Sequence, residues 1–313
     1  MRRDLDDKTK GDLVRVAHLL ADAARPVTLE HFRSASLSAD DKSALDSHFD
    51  PVTVADRGAE EAMRAILAAE RPQDGVFGEE YGRSEGTSGL TWVLDPIDGT
   101  RAYISGAPTW GVLIAVADAH GPLFGIVDQP FIRERFSGGF GISEAVGPSG
   151  NFALRTRAAR PLAAATVFTT FPEVGTLEEG RAFAAVSRAA RLTRYGMDCY
   201  AYALVAAGQV DLVIEAGLQA YDVQAPIAVI EAAGGVVTDW EGRPCHEGGR
   251  VLAAANATIH AEALALLRRK CNVGADRHFP ASVHLFEGCK WIPKLGTLHP
   301  SMVRIAAAAF MRQ

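Results

Sequence analysis

The order of short apolar runs along the chain constrains the fold more than any other feature. Between residues 75 and 141, five such runs follow one another, and glycine and proline residues separate them. This pattern predicts a mainly antiparallel sheet. After about Gly150, strand-like and helix-like segments alternate as far as residue 269. Alternation of this kind indicates an α/β fold with helices packed in layers against a sheet.

The change of pattern near Gly150 predicts two subdomains with a cleft between them, which is the natural place for a site. Residues 1–150 form an N-terminal α+β subdomain, and residues 151–270 form a C-terminal α/β subdomain. Residues 271–313 form a tail in which proline and glycine interrupt any regular period. We assign no role to this tail.

Two amphipathic helices are predicted in the N-terminal subdomain. Apolar residues recur at helical spacing over about residues 11–24 and again over about residues 56–70, which is the signature of a helix with one buried face. Pro72 follows the second run closely, as it commonly does beyond the end of a helix. The polar residues between the two helices indicate a loop.

Composition and charge exclude several classes of partner. The 313 residues carry a formal net charge of −6, which argues against a general nucleic-acid binder because contact with the phosphate backbone needs a basic face. No apolar run approaches the roughly 20 residues of a membrane span, and no signal peptide follows the N-terminal arginines. The four cysteines are scattered without a metal-ligand spacing. We therefore expect a cytoplasmic protein with reduced thiols and no membrane partner.

Acidic residues occur where strands end and helices begin. Asp95 and Asp98 flank a proline at the end of the apolar run "TWVL", and similar positions are held by Asp50, Glu79, Glu80 and Asp222. Carboxylates this close repel one another, and a divalent cation such as Mg²⁺, which prefers oxygen ligands, would neutralise that repulsion. Taken singly, an Asp before Pro or Gly is more often a turn former or a helix cap. The acids alone do not decide between these explanations.

Four segments that contain these acids resemble the motifs of the inositol monophosphatase family, the Mg²⁺-dependent, lithium-sensitive phosphatases. The segments are "DPVTVAD", "GEE", "LDPIDGT" and "YDVQAPIAVIEAAGGVVTDWEG", in the family's order, and the resemblance covers about residues 10–270. It implies a layered αβαβα sandwich of the inositol monophosphatase and fructose bisphosphatase type. It also implies a homodimer and two or three Mg²⁺ ions, with Mn²⁺ as an alternative metal.

The resemblance further implies which residues hold the metal ions. Glu79, Asp95 and the backbone carbonyl of Ile97 would bind the first ion. Asp95, Asp98 and Asp222 would bind the second, so that Asp95 bridges the two. A weaker third ion would share Glu79.

The same motifs imply residues for the reaction itself. Asp50 and Thr100 would orient the attacking water, and backbone N–H groups around Gly99 and Thr100 would hold the phosphate. Independently of the family, a phosphate monoester is anionic and repels hydroxide, so that its hydrolysis needs charge neutralisation. One metal ion can activate water while another stabilises the leaving oxygen. We therefore expect hydrolysis of a phosphate monoester.

Two alternatives stay open. The substrate could be an inositol phosphate or a 3′-phosphonucleotide. A chain of this fold could also be a non-catalytic regulatory or binding protein, which would be marked by the loss of a metal ligand. None of the ligands implied above is missing from the sequence.

Three features favour L-histidinol phosphate as the substrate. The signature continues as "DGTRAYISG", with Ala102 where inositol phosphatases commonly have asparagine, and this continuation resembles the histidinol-phosphatase branch of the family, as does "RYGMDCYAYA". Glu215 precedes Asp222 by seven residues, where relatives place a carboxylate that contacts the leaving group. Asp198 adds an acid in a segment that tends to be uncharged in inositol phosphatases.

The charge of the substrate gives a physical reason for these acids. Histidinol carries an ammonium group and an imidazole that can be protonated, whereas inositol is neutral. Asp198 and Glu215 would supply counter-charges, and Asp98 would also contact the substrate. The alternative for Asp198 is that it caps the helix beginning at Cys199. We expect hydrolysis of L-histidinol phosphate to L-histidinol and phosphate, a step of histidine biosynthesis.

Overall fold

The structure, a computed structural model, describes residues 5–34, 39–41 and 51–269. Residues 271–313 therefore lie outside the described residues, as does Asp50. Within the described part, no helix combines the length and the apolar character needed to cross a membrane. The helices are α1 (Asp7–His31), α2 (Val54–Glu70), α3 (Thr100–Ile104), α4 (Leu177–Ala189), α5 (Asp198–Ala206), α6 (Ala220–Ala232) and α7 (Ala257–Leu267).

The strands form two large sheets and one small ladder. The ladder contains β1 (Ala39–Asp41) and β2 (Pro51–Thr53). The first sheet contains β3 (Gly75–Gly78), β4 (Gly82–Ser84), β5 (Thr91–Asp98), β6 (Gly111–Asp118), β7 (Gly121–Gln129), β8 (Glu134–Gly139), β9 (Ile142–Gly147) and β10 (Gly150–Ala153). The second sheet contains β11 (Thr166–Thr169), β12 (Leu192–Tyr195), β13 (Leu212–Gln219), β14 (Val236–Thr238) and β15 (Gly248–Ala254).

The first sheet has eight strands in the order β10-β9-β8-β7-β6-β5-β3-β4. Its neighbours are antiparallel except β3 and β5, which run parallel. The predicted mainly antiparallel sheet is therefore confirmed. Strand β5 lies inside the sheet with both faces covered, and its residues 92–97 are all buried. This explains why its sequence is apolar without alternation.

The second sheet has five strands in the order β12-β11-β13-β15-β14. Strand β11 pairs in parallel with β12 and β13, whereas β15 pairs antiparallel with β13 and β14. The alternation of strands and helices predicted after Gly150 is thus observed, with α4 between β11 and β12 and with α5 before β13.

Helices cover and separate the two sheets. Helices α1 and α2 pack on one face of the first sheet, α5 and α6 lie between the sheets, and α4 and α7 cover the far face of the second. A separate apolar core fills each of these three regions. The layers follow the order αβαβα, which confirms the predicted fold class. Because α5 and α6 pack on both sheets, the subdomain division near Gly150 stays a prediction.

Two parts of the first sheet and its helices differ from the sequence-based expectation. Helix α1 spans Asp7–His31 rather than residues 11–24 and continues through Pro26. Proline removes one backbone donor from the helix, but Val27 and Thr28 still pack inward beyond it. Strands β4, β9 and β10 were not predicted, and β10, at the edge of the first sheet, is exposed throughout. It therefore shows no apolar alternation in the sequence.

A buried carboxylate joins α1 to the first sheet. Asp128 in β7 is fully buried. Its oxygens accept hydrogen bonds from Arg25 of α1 at 2.6 and 3.2 Å and from Arg135 of β8 at 2.7 Å. Charge-assisted hydrogen bonds of this kind compensate the cost of burying the ions. Asp128 therefore fixes the helix on the sheet that carries the candidate site.

Asp128→Ala should strongly destabilise the protein, because Arg25 would lose its carboxylate partner and Arg135 would keep only Asp22 at the surface. We expect the free energy of unfolding in urea to fall by about 3–5 kcal/mol. Asp40→Ala is the matched control, since Asp40 pairs with Arg57 at the surface and such pairs contribute about 0–1 kcal/mol. Equal losses in the two variants would contradict the role of Asp128.

Candidate active site

The end of β5 brings Asp95 and Asp98 to one place. Pairing of β5 with β6 changes register between these two residues, where Pro96 has no N–H to donate to the ladder. Irregularities of this kind redirect side chains at the end of a strand. Gly99 follows with φ +83° in the left-handed region, and α3 begins at Thr100. The strand end and the turn thus place two carboxylates beside the start of a short helix.

Helix α6 supplies a third carboxylate. Asp222 lies in its first turn, and the backbone N–H of the N-cap residue Gln219 donates to its Oδ2 at 2.6 Å. Asp222 therefore helps to cap the helix through one carboxylate oxygen, Oδ2, and this bond does not involve Oδ1. One carboxylate oxygen each from Asp95, Asp98 and Asp222 lie within 4.8 Å of one another. Oxygen ligands at this spacing suit a hard divalent cation.

Glu79 and Ile97 lie at the same strand end. The N–H of Glu79, just after β3, donates to the carbonyl of Leu94 in β5 at 3.2 Å. Its carboxyl group hydrogen-bonds to that of Asp95. Ile97 donates its N–H to Asp95 at 3.0 Å, and its carbonyl accepts from the Thr100 hydroxyl at 3.1 Å. The structure therefore brings together the five residues that the sequence assigned to the metal ions.

Burial and mutual repulsion oppose simultaneous ionisation of these carboxyl groups. Burial, followed by the charges of Glu79 and Asp98, raises the pKa of Asp95 well above its ordinary value. Burial and then the charge of Asp222 raise the pKa of Asp98 to about 8. Burial also raises the pKa of Asp222 to about 7. A bound divalent cation would relieve this repulsion, and an all-oxygen ligand set fits Mg²⁺ or Mn²⁺.

Asp56 is a residue near the site that sequence analysis interpreted only as a helix start. It is buried in the first turn of α2 and accepts the Thr53 N–H at 2.8 Å in a capping box. Its other oxygen lies 3.5 Å from the Thr100 hydroxyl. The Thr-x-x-Asp spacing is a signal for the capping box, but no local signal indicates the approach to Thr100. Asp50, predicted to act with Thr100, lies outside the described residues.

Glu60, which was also missed, supports the loop that carries Glu79. It is fully buried in α2, accepts the Glu80 N–H at 2.7 Å and pairs with Arg64 at 2.7 Å. A Cβ atom on Gly78 would fall 1.9 Å from a carboxylate oxygen of Glu60. A larger residue at the end of β3 would therefore have to displace this carboxylate from its bonds to the Glu80 N–H and Arg64.

A cavity of about 320 Å³ opens beside the acidic cluster and contains the three predicted substrate-binding acids. Asp98, Asp198, Glu215 and Asp222 all line this cavity. Glu215 is 6% exposed, and the N–H and hydroxyl of Thr170 donate to its Oε1 at 2.8 and 2.9 Å. Burial is the main reason that the pKa of Glu215 rises to about 7.

Asp198 does not cap α5 through its side chain, which was the alternative to substrate binding. The N-cap is Met197, and Asp198 follows it with φ +47° in the left-handed region. Its Oδ2 accepts a hydrogen bond from the Thr109 hydroxyl at 2.7 Å. The cap is instead supplied by Asp98, whose Oδ2 accepts the Cys199 N–H at 2.6 Å.

Comparison with known proteins gives one family. The sequence model described as the inositol monophosphatase family matches residues 10–272. The bifunctional phosphatase IMPL2 of Arabidopsis thaliana is 38% identical over 272 residues, which covers 83% of this chain and 76% of that protein. A histidinol-phosphatase from Streptomyces coelicolor is 35% identical over 266 residues, covering 83% and 98%.

The fold agrees with this family. The solved structure of an inositol monophosphatase from Zymomonas mobilis superposes with a TM-score of 0.71 at 39% identity, over 82% of this chain and 98% of that chain. Together with the αβαβα layers and the acidic cluster, these findings show that the chain belongs to the inositol monophosphatase family of phosphatases. The sequence identities with these relatives do not by themselves decide whether the substrate is histidinol phosphate or inositol phosphate.

Asp95→Asn should remove most of the response to Mg²⁺. Loss of one clustered charge lowers the repulsion, so the metal-free variant should melt at the same temperature as the wild type or higher. Added Mg²⁺ should raise the melting temperature of the wild type, because a ligand that binds the folded state stabilises it. The variant should show little of this rise, and its phosphate release should fall by roughly two orders of magnitude or more.

Asp7→Asn serves as the control for this experiment. Asp7 lies at the exposed start of α1, so that its charge can be removed without touching the cluster. This variant should respond to Mg²⁺ like the wild type. An Asp95→Asn protein with wild-type turnover and an unchanged Mg²⁺ shift would show that the metal ligands are wrongly assigned.

Proposed function

We propose that this protein is a Mg²⁺-dependent histidinol-phosphate phosphatase, which converts L-histidinol phosphate and water to L-histidinol and phosphate in histidine biosynthesis. The observation that carries the proposal is that Asp198 and Glu215 line the same cavity as the clustered acids Asp98 and Asp222. Membership of a phosphatase family supports ester hydrolysis. The similarity to a histidinol-phosphatase supports the choice of substrate.

The phosphate end of the substrate belongs beside the acidic cluster. The residues that would hold the metal ions are Glu79, Asp95, Asp98, Asp222 and the carbonyl of Ile97. Divalent ions held there supply charge neutralisation for the phosphate and lower the pKa of a water molecule. This role accounts for a set of buried and partly buried carboxylates that would otherwise repel one another.

Thr100 and Gly99 would position the reacting groups. The Thr100 hydroxyl is fixed between the Ile97 carbonyl and Asp56, so that it can orient the attacking water next to the cluster, with Asp50 as its partner. The first N–H groups of a helix have no acceptor within the helix. At the turn of Gly99 into α3, such groups are available to the phosphate oxygens.

The organic part of the substrate would meet Asp198 and Glu215. Both carboxylates are held by neutral donors: the Thr109 hydroxyl donates to Asp198, and the N–H and hydroxyl of Thr170 donate to Glu215. Neither forms a salt bridge with an arginine or lysine of the described residues. An ammonium or imidazolium group would therefore meet no competing cation at these carboxyl groups, and it would favour their ionised form through charge-assisted hydrogen bonds.

Inositol 1-phosphate is the second candidate, supported by the similarity to the Zymomonas mobilis inositol monophosphatase. Its neutral ring would leave Asp198 and Glu215 without a counter-charge. A 3′-phosphonucleotide would bring a second anionic group into a cavity that four acids and one described cationic residue, Arg101, line. A non-catalytic binding protein would release no phosphate from any of these esters. A homodimer and a cytoplasmic location remain predictions.

A phosphate-release screen separates these candidates. The esters are L-histidinol phosphate, inositol 1-phosphate, 3′-phosphoadenosine 5′-phosphate and fructose 1,6-bisphosphate, each with Mg²⁺. We expect kcat/KM to be highest for histidinol phosphate, by roughly tenfold or more, because the others lack its positive charges. A preference for inositol 1-phosphate would refute the assignment of substrate. No release from any ester would favour the binding protein.

Asp198→Asn tests the acid that distinguishes the substrates. Asparagine tolerates a left-handed backbone, as the φ of +47° requires, and it can still accept the Thr109 hydroxyl bond. Loss of the charge should raise KM for histidinol phosphate by roughly 10- to 100-fold. KM for inositol 1-phosphate should change by less than about threefold, since a neutral alcohol gains little from the charge. Equal changes for both esters would contradict the role of Asp198.

A further inference from the structure

We propose that Thr109 is a positioning residue for substrate recognition, which holds the Asp198 carboxylate in the orientation that meets the cationic part of the substrate. This inference rests on the proposed function, because it takes Asp198 to contact an ammonium or imidazolium group. Thr109 itself acts through Asp198 and need not touch the substrate. It lies 89 residues away from Asp198 in sequence.

The hydrogen bond between these residues leaves one carboxylate oxygen for a ligand. The Thr109 hydroxyl donates to Oδ2 of Asp198 at 2.7 Å. Among the described residues, Oδ1 of Asp198 receives no donor. Because Asp198 lines the cavity, this second oxygen is the one that can accept a hydrogen bond from the substrate.

The backbone and the side chain of Asp198 are each confined by a neighbouring group. Its φ of +47° is uncommon for a residue other than glycine, and such conformations persist where the surroundings determine them. The backbone is held at the next residue, because the N–H of Cys199 donates to Asp98 at 2.6 Å. The side chain packs against Gly99, where an added Cβ atom would fall 2.7 Å from the Asp198 Cγ. The Thr109 hydroxyl then selects one orientation of the carboxylate within this space.

Thr109 is itself held on a rigid part of the fold. The next residue, Trp110, is buried and packs edge-on against Tyr103, with ring centroids 4.9 Å apart. Phe32 contacts the same Trp110 ring. Strand β6 then begins at Gly111. The hydroxyl that orients Asp198 is therefore anchored to the first sheet, although Asp198 belongs to α5.

A neutral donor suits this task better than a cation would. A lysine or arginine at position 109 would also orient Asp198, but it would cancel the charge that a cationic substrate needs. A hydroxyl orients the carboxylate and leaves its charge. Loss of the hydroxyl should therefore weaken binding of a cationic ester and leave a neutral ester almost unaffected.

Thr109→Val and Thr109→Ser form the matched pair of variants. Valine keeps the branched shape and removes the hydroxyl, whereas serine keeps the hydroxyl. Thr109→Val should raise KM for histidinol phosphate by about tenfold, with kcat changed by less than about twofold. KM for inositol 1-phosphate should stay within about twofold of the wild type. Thr109→Ser should restore both values to near those of the wild type.

Binding and stability measurements separate positioning from a loss of structure. Titration calorimetry with L-histidinol should show the same weakening in Thr109→Val, and its thermal melting should stay close to that of Thr109→Ser. The double variant Thr109→Val/Asp198→Asn should bind no more weakly than Asp198→Asn alone, because the two residues act as one unit.

Three results would overturn the role of Thr109. They are a wild-type KM for histidinol phosphate in Thr109→Val, an equal rise of KM for both esters, or additive effects of the Thr109→Val and Asp198→Asn substitutions on binding. The proposed function fails separately, if the wild type prefers a neutral ester. In that event the double-mutant cycle of Thr109→Val and Asp198→Asn is measured with the preferred ester. Coupling between the two substitutions would then retain the positioning role, and additivity would remove it.

Discussion

The site depends on the packing that forces one buried and two partly buried carboxylates together against their mutual repulsion. Asp95 and Asp98 come from β5 and Asp222 from α6, and their oxygens lie within 4.8 Å of one another. Helix α6 lies in the middle layer, in contact with both sheets. Burial of its apolar faces stabilises this position, so it opposes the repulsion at the helix start. The five-layer order is therefore what fixes the distance between the acids.

The layers could be predicted from sequence, whereas several boundaries could not. The apolar run of β5 and the helical spacing of α2 are local signals, and both elements were found close to their observed bounds. Helix α1 continues past Pro26 because tertiary contacts outweigh a local signal that predicts a helix end. The exposed strand β10 has no apolar face to detect. Its place in the sheet comes from pairing with β9.

The candidate site divides in the same way. The acids at the ends of β3 and β5 and at the start of α6 were identified by motifs that lie within short segments. Glu60 and Thr109 were missed because each acts on a residue 20 or more positions away. The left-handed backbone of Asp198 was equally unpredictable, since an Asp at a helix start usually indicates a cap. Contacts that depend on the assembled fold leave no pattern in the local sequence.

Apart from Asp56, which is buried in the capping box of α2, the buried and partly buried acids divide by the way in which they are compensated. Four away from the cavity are paired with arginine: Glu60 with Arg64, Asp74 with Arg71, Asp128 with Arg25 and Arg135, and Asp211 with Arg157. The acids around the cavity form no such pair within the described residues: Asp95, Asp98, Asp198, Glu215 and Asp222. A buried carboxylate without a cation is costly unless a ligand supplies the charge. Metal ions would do so for the clustered acids, and a cationic substrate for Asp198 and Glu215, which neutral hydroxyl and N–H donors orient without neutralising.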